Sequence, residues 1–120
     1  MKKLRTIILS LLIAVLLFAG IESAFAHYPL ETSVSPSYQT VTTSPWRARW
    51  DQTISSGDLP YTIYITFGDG AYINLPNQYY SSYIWYHNFW GSGGTKYQTF
   101  RTTDNYGEVK YLYTSVYVNK

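Results

Sequence analysis

The sequence predicts an all-β fold, an antiparallel β-sandwich of about seven strands, and three observations carry that expectation. Tyr61–Thr66 alternates, with Ile63, Ile65 and Phe67 on one side and Thr62, Tyr64 and Thr66 on the other, which is the period of a half-buried strand. Phe67-Gly68-Asp69-Gly70 and Asp104-Asn105-Tyr106-Gly107 each place glycine and aspartate directly after an alternating stretch. Such residues accept positive φ and reverse the chain. Short β-type segments then recur with turn signals roughly every 8–15 residues, and no helical period competes with them.

Residues 1–26 have the form of a signal peptide. Lys2, Lys3 and Arg5 precede an apolar stretch from Ile7 to Ala19, and Ala24-Phe25-Ala26 offers a small-x-small cleavage site. The apolar stretch is shorter than the ~20 residues that span a bilayer. Cleavage after Ala26 is the expectation, leaving 94 of the 120 residues, enough for one domain. His27–Ser37, with Pro29 and Pro36, reads as an extended lead-in, and residues 38–120 as the sandwich.

Within that domain, Tyr38–Thr43 is a first strand ended by Ser44-Pro45. Trp46–Asp51 alternates apolar and charged residues and predicts a second strand with both tryptophans inward, against a lesser alternative of one helical turn pairing Trp46 with Trp50. Ser55–Asp58 is a turn, Tyr61–Phe67 the next strand, and Ala71–Ile73 begins the return until Pro76-Asn77. The aromatic-rich Tyr79–Trp90 leads into the glycine turn 91–94; Tyr97–Thr103 and Val109–Val118 close the chain as strands. In the last of these, Leu112, Thr114, Val116 and Val118 share one face, and Val109, Tyr111, Tyr113 and Tyr117 the other.

Composition excludes several functions. After cleavage the chain holds six basic and six acidic residues, so no cationic field argues for nucleic acid or an anionic membrane. There is no cysteine, which removes disulfides, a lipoprotein anchor and a thiol nucleophile, and suits a secreted, bacterial, Gram-positive-like route. No phosphate-binding glycine loop and no spacing of a catalytic triad is present. Asp51, Asp58, Asp69, Asp104, Glu31 and Glu108 are the acids available to a hydrolase, and no two are singled out.

The order Phe67-Gly68-Asp69-Gly70, His87-Asn88-Phe89, Gly93-Gly94 and Asp104-Asn105-Tyr106-Gly107 resembles a PKD-type immunoglobulin-like domain over about Gly57 to Val118. It departs from that pattern at Ile65-Thr66, where the family carries Trp-Asp, and in the long segment between Gly70 and His87. The seven-residue step from Tyr97 to Asp104, one short of the family's, predicts a bulge or register shift there. The resemblance implies a non-catalytic module for protein or carbohydrate contact, of a kind often appended to secreted enzymes.

Three candidate sites follow. Tyr64, Tyr111, Tyr113 and Tyr117 form a candidate aromatic sheet face that meets an extracellular protein or glycan, since such rings offer rigid area and a hydrogen-bonding tip; the alternative is that they are ordinary strand residues. Trp46, Trp50, Trp85 and Phe67 are core candidates. The turn residues Gly68, Asp69, Gly70, Asp104, Asn105 and Gly107 are expected to be structural, with calcium at Asp69 and Asp104 as the minor alternative, because calcium needs six or more oxygens. His27, once N-terminal, offers an α-amine and an imidazole to copper(II), with His87 as a further ligand; this resembles copper-dependent polysaccharide oxidases and small copper carriers. The leading expectation is a monomeric, non-enzymatic secreted module with no cofactor. A copper protein is the alternative from another class. A third is a self-associating structural or bacteriocin-like protein, because Tyr111–Val118 is uncharged, proline-free and rich in β formers.

Overall fold

A computed structural model describes residues 27–120; the signal-peptide expectation for residues 1–26 lies outside the described residues. Eight strands follow one another: β1 (Glu31–Ser35), β2 (Tyr38–Val41), β3 (Arg47–Ser56), β4 (Tyr61–Thr66), β5 (Tyr72–Gln78), β6 (Ser82–Asn88), β7 (Gly94–Thr103) and β8 (Val109–Val118). They build a three-stranded sheet, β1-β3-β6, and a five-stranded sheet, β2-β8-β7-β4-β5. Pairing is antiparallel except for β2, which runs parallel to β8. The expected all-β sandwich is present, with one strand more than the seven read from sequence.

The extra strand is β1. Glu31–Ser35, within the segment read as a lead-in, pairs with β3. The chain then crosses through Pro36 to the other sheet as β2, so one N-terminal stretch caps both sheets. The outer side of β8 is therefore covered by β2 over Ser115–Val118. The edge position supposed for Tyr111–Val118 is corrected accordingly: within β8, Ser115–Val118 is covered and Val109–Thr114 alone lacks an outer partner among the described strands. Lys110, paired with Glu108 at 3.9 Å, places charge on that open stretch, a feature that discourages edge-to-edge pairing.

Two further expectations are corrected. β7 runs from Gly94 to Thr103 in unbroken register with β8, and no bulge occurs between Tyr97 and Asp104. The irregularity falls in β5 instead. Tyr61 faces Gln78 while Ile63 faces Leu75, so β5 carries one extra residue, with Asn77 at φ 57°, and Pro76 has no N–H to lose from the ladder. Trp46 is not an inward strand residue. It precedes β3 with φ 57° and is half-buried, and inward alternation begins at Ala48 and continues through Trp50, Gln52 and Ile54.

The core lies between the sheets. Trp50 from β3 is fully buried, with Phe67 at 5.7 Å and Phe100 edge-on at 5.8 Å between ring centroids. Ile63, Ile65, Val116 and Val118 complete the face of the five-stranded sheet. Gln52 is buried in the same layer and fully satisfied. Its Nε2 donates to Thr32 and Thr102 Oγ1 at 3.1 and 2.9 Å, and its Oε1 accepts from Trp85 Nε1 at 2.9 Å. Thr102 belongs to one sheet and the other three residues to the opposite one, so the bonds tie the sheets together.

The Phe67–Gly70 turn also docks on the core. Gly68 has φ 85°, and a Cβ there would lie 2.5 Å from the Tyr97 carbonyl oxygen and 2.8 Å from its nitrogen; Gly70, at φ 92°, has open space around it. Buried Gln98 seals this approach by donating to the Phe67 carbonyl at 3.0 Å and accepting from Thr114 Oγ1 at 2.8 Å. Gly70→Ala should therefore cost about 1 kcal/mol from backbone strain alone. Gly68→Ala adds a backbone collision and should cost clearly more, about 2 kcal/mol or above. Thermal unfolding of the two variants checks this; equal melting temperatures would contradict the docking of the turn on β7.

Candidate functional site

Strand alternation and register together decide which side chains meet on the outer face of the five-stranded sheet. Tyr38, Ser115 and Tyr97 form one cross-strand row. Thr40, Tyr117 and Thr95 form the next. Tyr113, Thr99, Thr66 and Tyr72 form a third, and Tyr111, Arg101, Tyr64 and Asn74 a fourth. Neighbouring strands lie ~4.8 Å apart and same-face residues along a strand ~6.8 Å apart, so the rings stand in a grid of Thr, Ser and Tyr. Seven tyrosines from five strands occupy it.

Tyr97 and Tyr113 are 71% and 70% exposed; Tyr38, Tyr72, Tyr111 and Tyr117 are exposed and Tyr64 half-buried. Arg101 is the one charged residue at the outward positions of these rows. Its guanidinium lies over the Tyr64 ring at 4.7 Å, and Tyr64 meets Tyr72 at 5.8 Å. The outer face of the other sheet is different in kind: Arg47, Arg49 and Asp51 line it, with both arginines near Tyr86.

The two ends of the sandwich hold the histidines. At one end His87 stacks on Phe67 (4.1 Å, 6°), meets Phe89 edge-on at 4.7 Å, and places Nε2 2.6 Å from Asp69 Oδ2. Asp69 Oδ1 accepts from the Ala71 N–H at 3.0 Å. Partial burial opposes the charge on Asp69, but the hydrogen bond with His87, the Ala71 N–H and the His87 charge outweigh it and hold its pKa below the ordinary carboxylate value. At the other end buried Asp104 accepts three backbone N–H bonds, from Asp58 at 3.2 Å, Tyr106 at 3.1 Å and Glu108 at 2.9 Å. There His27 stacks on Tyr106 (3.9 Å, 11°).

His27 and His87 do not come together. His27 lies beside Asp58, ahead of β4, whereas His87 grips the turn after β4. The six residues of that strand separate them by roughly 20 Å. The paired copper site of the sequence reading is corrected on that ground. Asp69 and Asp104 are likewise at opposite ends, their oxygens engaged by N–H donors. Among the described residues no three His, Asp or Glu side chains converge as a metal group.

The sequence reading missed Tyr38, Tyr72 and Tyr97 as members of the outer face. Each sits alone in its own strand, and only the register joins it to Tyr111, Tyr113 and Tyr117. It also missed an open hollow of about 310 Å³ lined by Tyr28, Leu59, Tyr61, Tyr79 and Tyr80. Tyr61 is buried at its floor, and burial raises its phenol pKa.

No family profile and no curated protein matches the chain. Among solved structures it is similar to the PKD domain of an M14-like peptidase from Thermoplasmatales archaeon SCGC AB-540-F20, with 22% identity and a TM-score of 0.61, over 79% of this chain and 100% of that one. The fold is that of a PKD domain. The PKD1 domain of the metalloprotease PrtV from Vibrio cholerae is matched over the same shares at 12% identity and a TM-score of 0.42. In this PKD fold the Phe67–Gly70 turn and His87 form one unit, since the imidazole covers the Phe67 ring and holds the turn's aspartate.

That unit has an acid limit. Because the folded pKa of Asp69 is lowered, its contribution is complete above the unfolded value of about 4 and is lost as pH falls through the depressed folded value. Asp69→Asn should lower the melting temperature at neutral pH and flatten its decline in acid. An unchanged acid profile in the variant would contradict the pairing.

Proposed function

We propose that the protein is a secreted, non-catalytic binding module whose tyrosine face contacts an extracellular protein or cell-surface glycan. The observation that carries this reading is the convergence of seven tyrosines from five strands on one face with a single charge among them. A core needs the opposite faces of those strands, and that core is complete without these rings. Exposed aromatic area on this scale is a feature of contact surfaces. A PKD fold in which Asp69, His87 and Asp104 are engaged in holding turns supports a binding role over a catalytic one.

The chemistry of the face narrows what it recognises. Tyrosine offers a ring to stack on a sugar or an apolar side chain, and a hydroxyl to hydrogen-bond its edge. Thr95, Thr99, Thr66 and Ser115 lie between the rings and add hydroxyls at the same level. With Arg101 engaged on Tyr64, little net charge steers an ionic partner, so binding through this face should change little between low and high salt.

Replacing Tyr111, Tyr113 and Tyr117 together by Ser should leave the fold intact and weaken retention on cell-wall material or a matched polysaccharide panel by tenfold or more, on the order of 1.4 kcal/mol. Co-sedimentation at low and high salt, with thermal unfolding of the same variant, checks this. Unchanged retention would contradict the binding face, and collapse of the fold would place these rings in the core.

A further inference from the structure

A separate feature lies at the end of the sandwich away from His87. His27 Nδ1 and Asp58 Oδ2 are 3.6 Å apart, both atoms are shielded from solvent, and neither has a hydrogen-bond partner among the described residues. That distance is too long for a hydrogen bond. Two buried polar atoms left facing each other require an explanation, because leaving such groups unpaired costs stability.

Both groups are held on fixed backbone. The Asp58 N–H donates to Asp104 Oδ2 at 3.2 Å, and the Asp58 carbonyl accepts from the Asn105 N–H at 2.8 Å. The His27 ring is fixed by its stack on Tyr106. Three residues on, the Leu30 N–H donates to Glu108 Oε2 at 3.0 Å and the Leu30 side chain is buried. The separation suits two donors to one small cation. With bonds of about 2.0–2.1 Å, ligands at right angles lie about 2.8 Å apart and opposed ligands about 4 Å.

We propose that a chain beginning at His27 binds copper(II) through its α-amine, His27 Nδ1 and Asp58 Oδ2. The amine and Nδ1 belong to one residue and close a chelate ring on the metal. Two nitrogens and a carboxylate oxygen favour copper(II) above the other divalent first-row metals. The site replaces the His27–His87 pair with a ligand that is in place, and it does not depend on the tyrosine face. Binding weakens in acid, since amine and imidazole must give up their protons.

The test expresses the full chain with its own leader, reads the secreted N-terminus by mass spectrometry, and titrates the product with copper(II) by calorimetry. Comparators are the tetrapeptide His-Tyr-Pro-Leu, the secreted protein with its α-amine blocked by selective acetylation, and Asp58→Asn. One copper should bind about tenfold or more tighter than to the tetrapeptide. Asp58→Asn should lose about tenfold, and blocking the α-amine should abolish the advantage over the peptide. Asp58→Glu, which keeps a carboxylate, gives a second variant should Asp58→Asn unfold, and should retain more affinity than any Asp58 variant without one. Paramagnetic resonance should show two nitrogen donors in the wild-type protein and fewer in the acetylated form. An N-terminus other than His27, an affinity equal to the peptide's, or indifference to Asp58 substitution would overturn the proposal.

Discussion

Everything in this sandwich depends on the contact that Trp50 makes across the two sheets. With no cysteine to cross-link them, cohesion comes from apolar burial, and full burial of one large side chain is worth about 1.5–3 kcal/mol. Trp50 reaches Phe67 at the end of one strand and Phe100 in the middle of another. Gln52 lies two residues further along the same face and adds directional bonds to both sheets. Apolar burial alone would tolerate a slide of one sheet over the other, whereas three bonds to fixed partners do not. A strand shifted by one residue would turn its core face outward. The same contact therefore determines which tyrosines remain in solvent.

Much of the fold was legible in the sequence because each long strand carries its own signal. Ile63, Ile65 and Phe67 alternate with Thr62, Tyr64 and Thr66, and Leu112, Thr114, Val116 and Val118 with the tyrosines of β8; both patterns match the observed burial. Short pieces were harder. β1 has five residues, of which Thr32 and Val34 turn inward and are only half-buried, too little to separate a strand from an extended lead-in. Trp46 and Trp50 have the spacing of one strand face, but positive φ at Trp46 breaks the alternation before it starts. The supposed irregularity near Tyr97 belongs to Asn77, where an αL residue is absorbed as a bulge.

The candidate surfaces were legible only in part, for a physical reason. Tyr111, Tyr113 and Tyr117 lie on one strand, so their common face follows from period alone. Tyr38, Tyr72 and Tyr97 reach the same face through register across β2, β5 and β7, and register is set by long-range pairing that no local window contains. The pairing of His27 with Asp58, rather than with His87, depends likewise on how Ser55–Pro60 and Asp104–Glu108 fold against each other. In the assembled molecule, one end locks a turn with His87 and Asp69, the other gathers His27, Asp58 and Asp104, and the tyrosine face runs between them. Each feature uses backbone that the core already holds rigid, which suits a site that must keep its geometry without a disulfide.

The account rests most directly on one sheet face being core and the other a free surface of tyrosines. Limited nitration of the native protein, mapped residue by residue by mass spectrometry, tests this at once. Tyr97 and Tyr113 should react early, with Tyr38, Tyr72 and Tyr111 alongside them, while Tyr61, 6% exposed, should stay unmodified until the protein unfolds. Early reaction at Tyr61, or protection of Tyr111 and Tyr113 in the monomer, would contradict the assignment of the two faces.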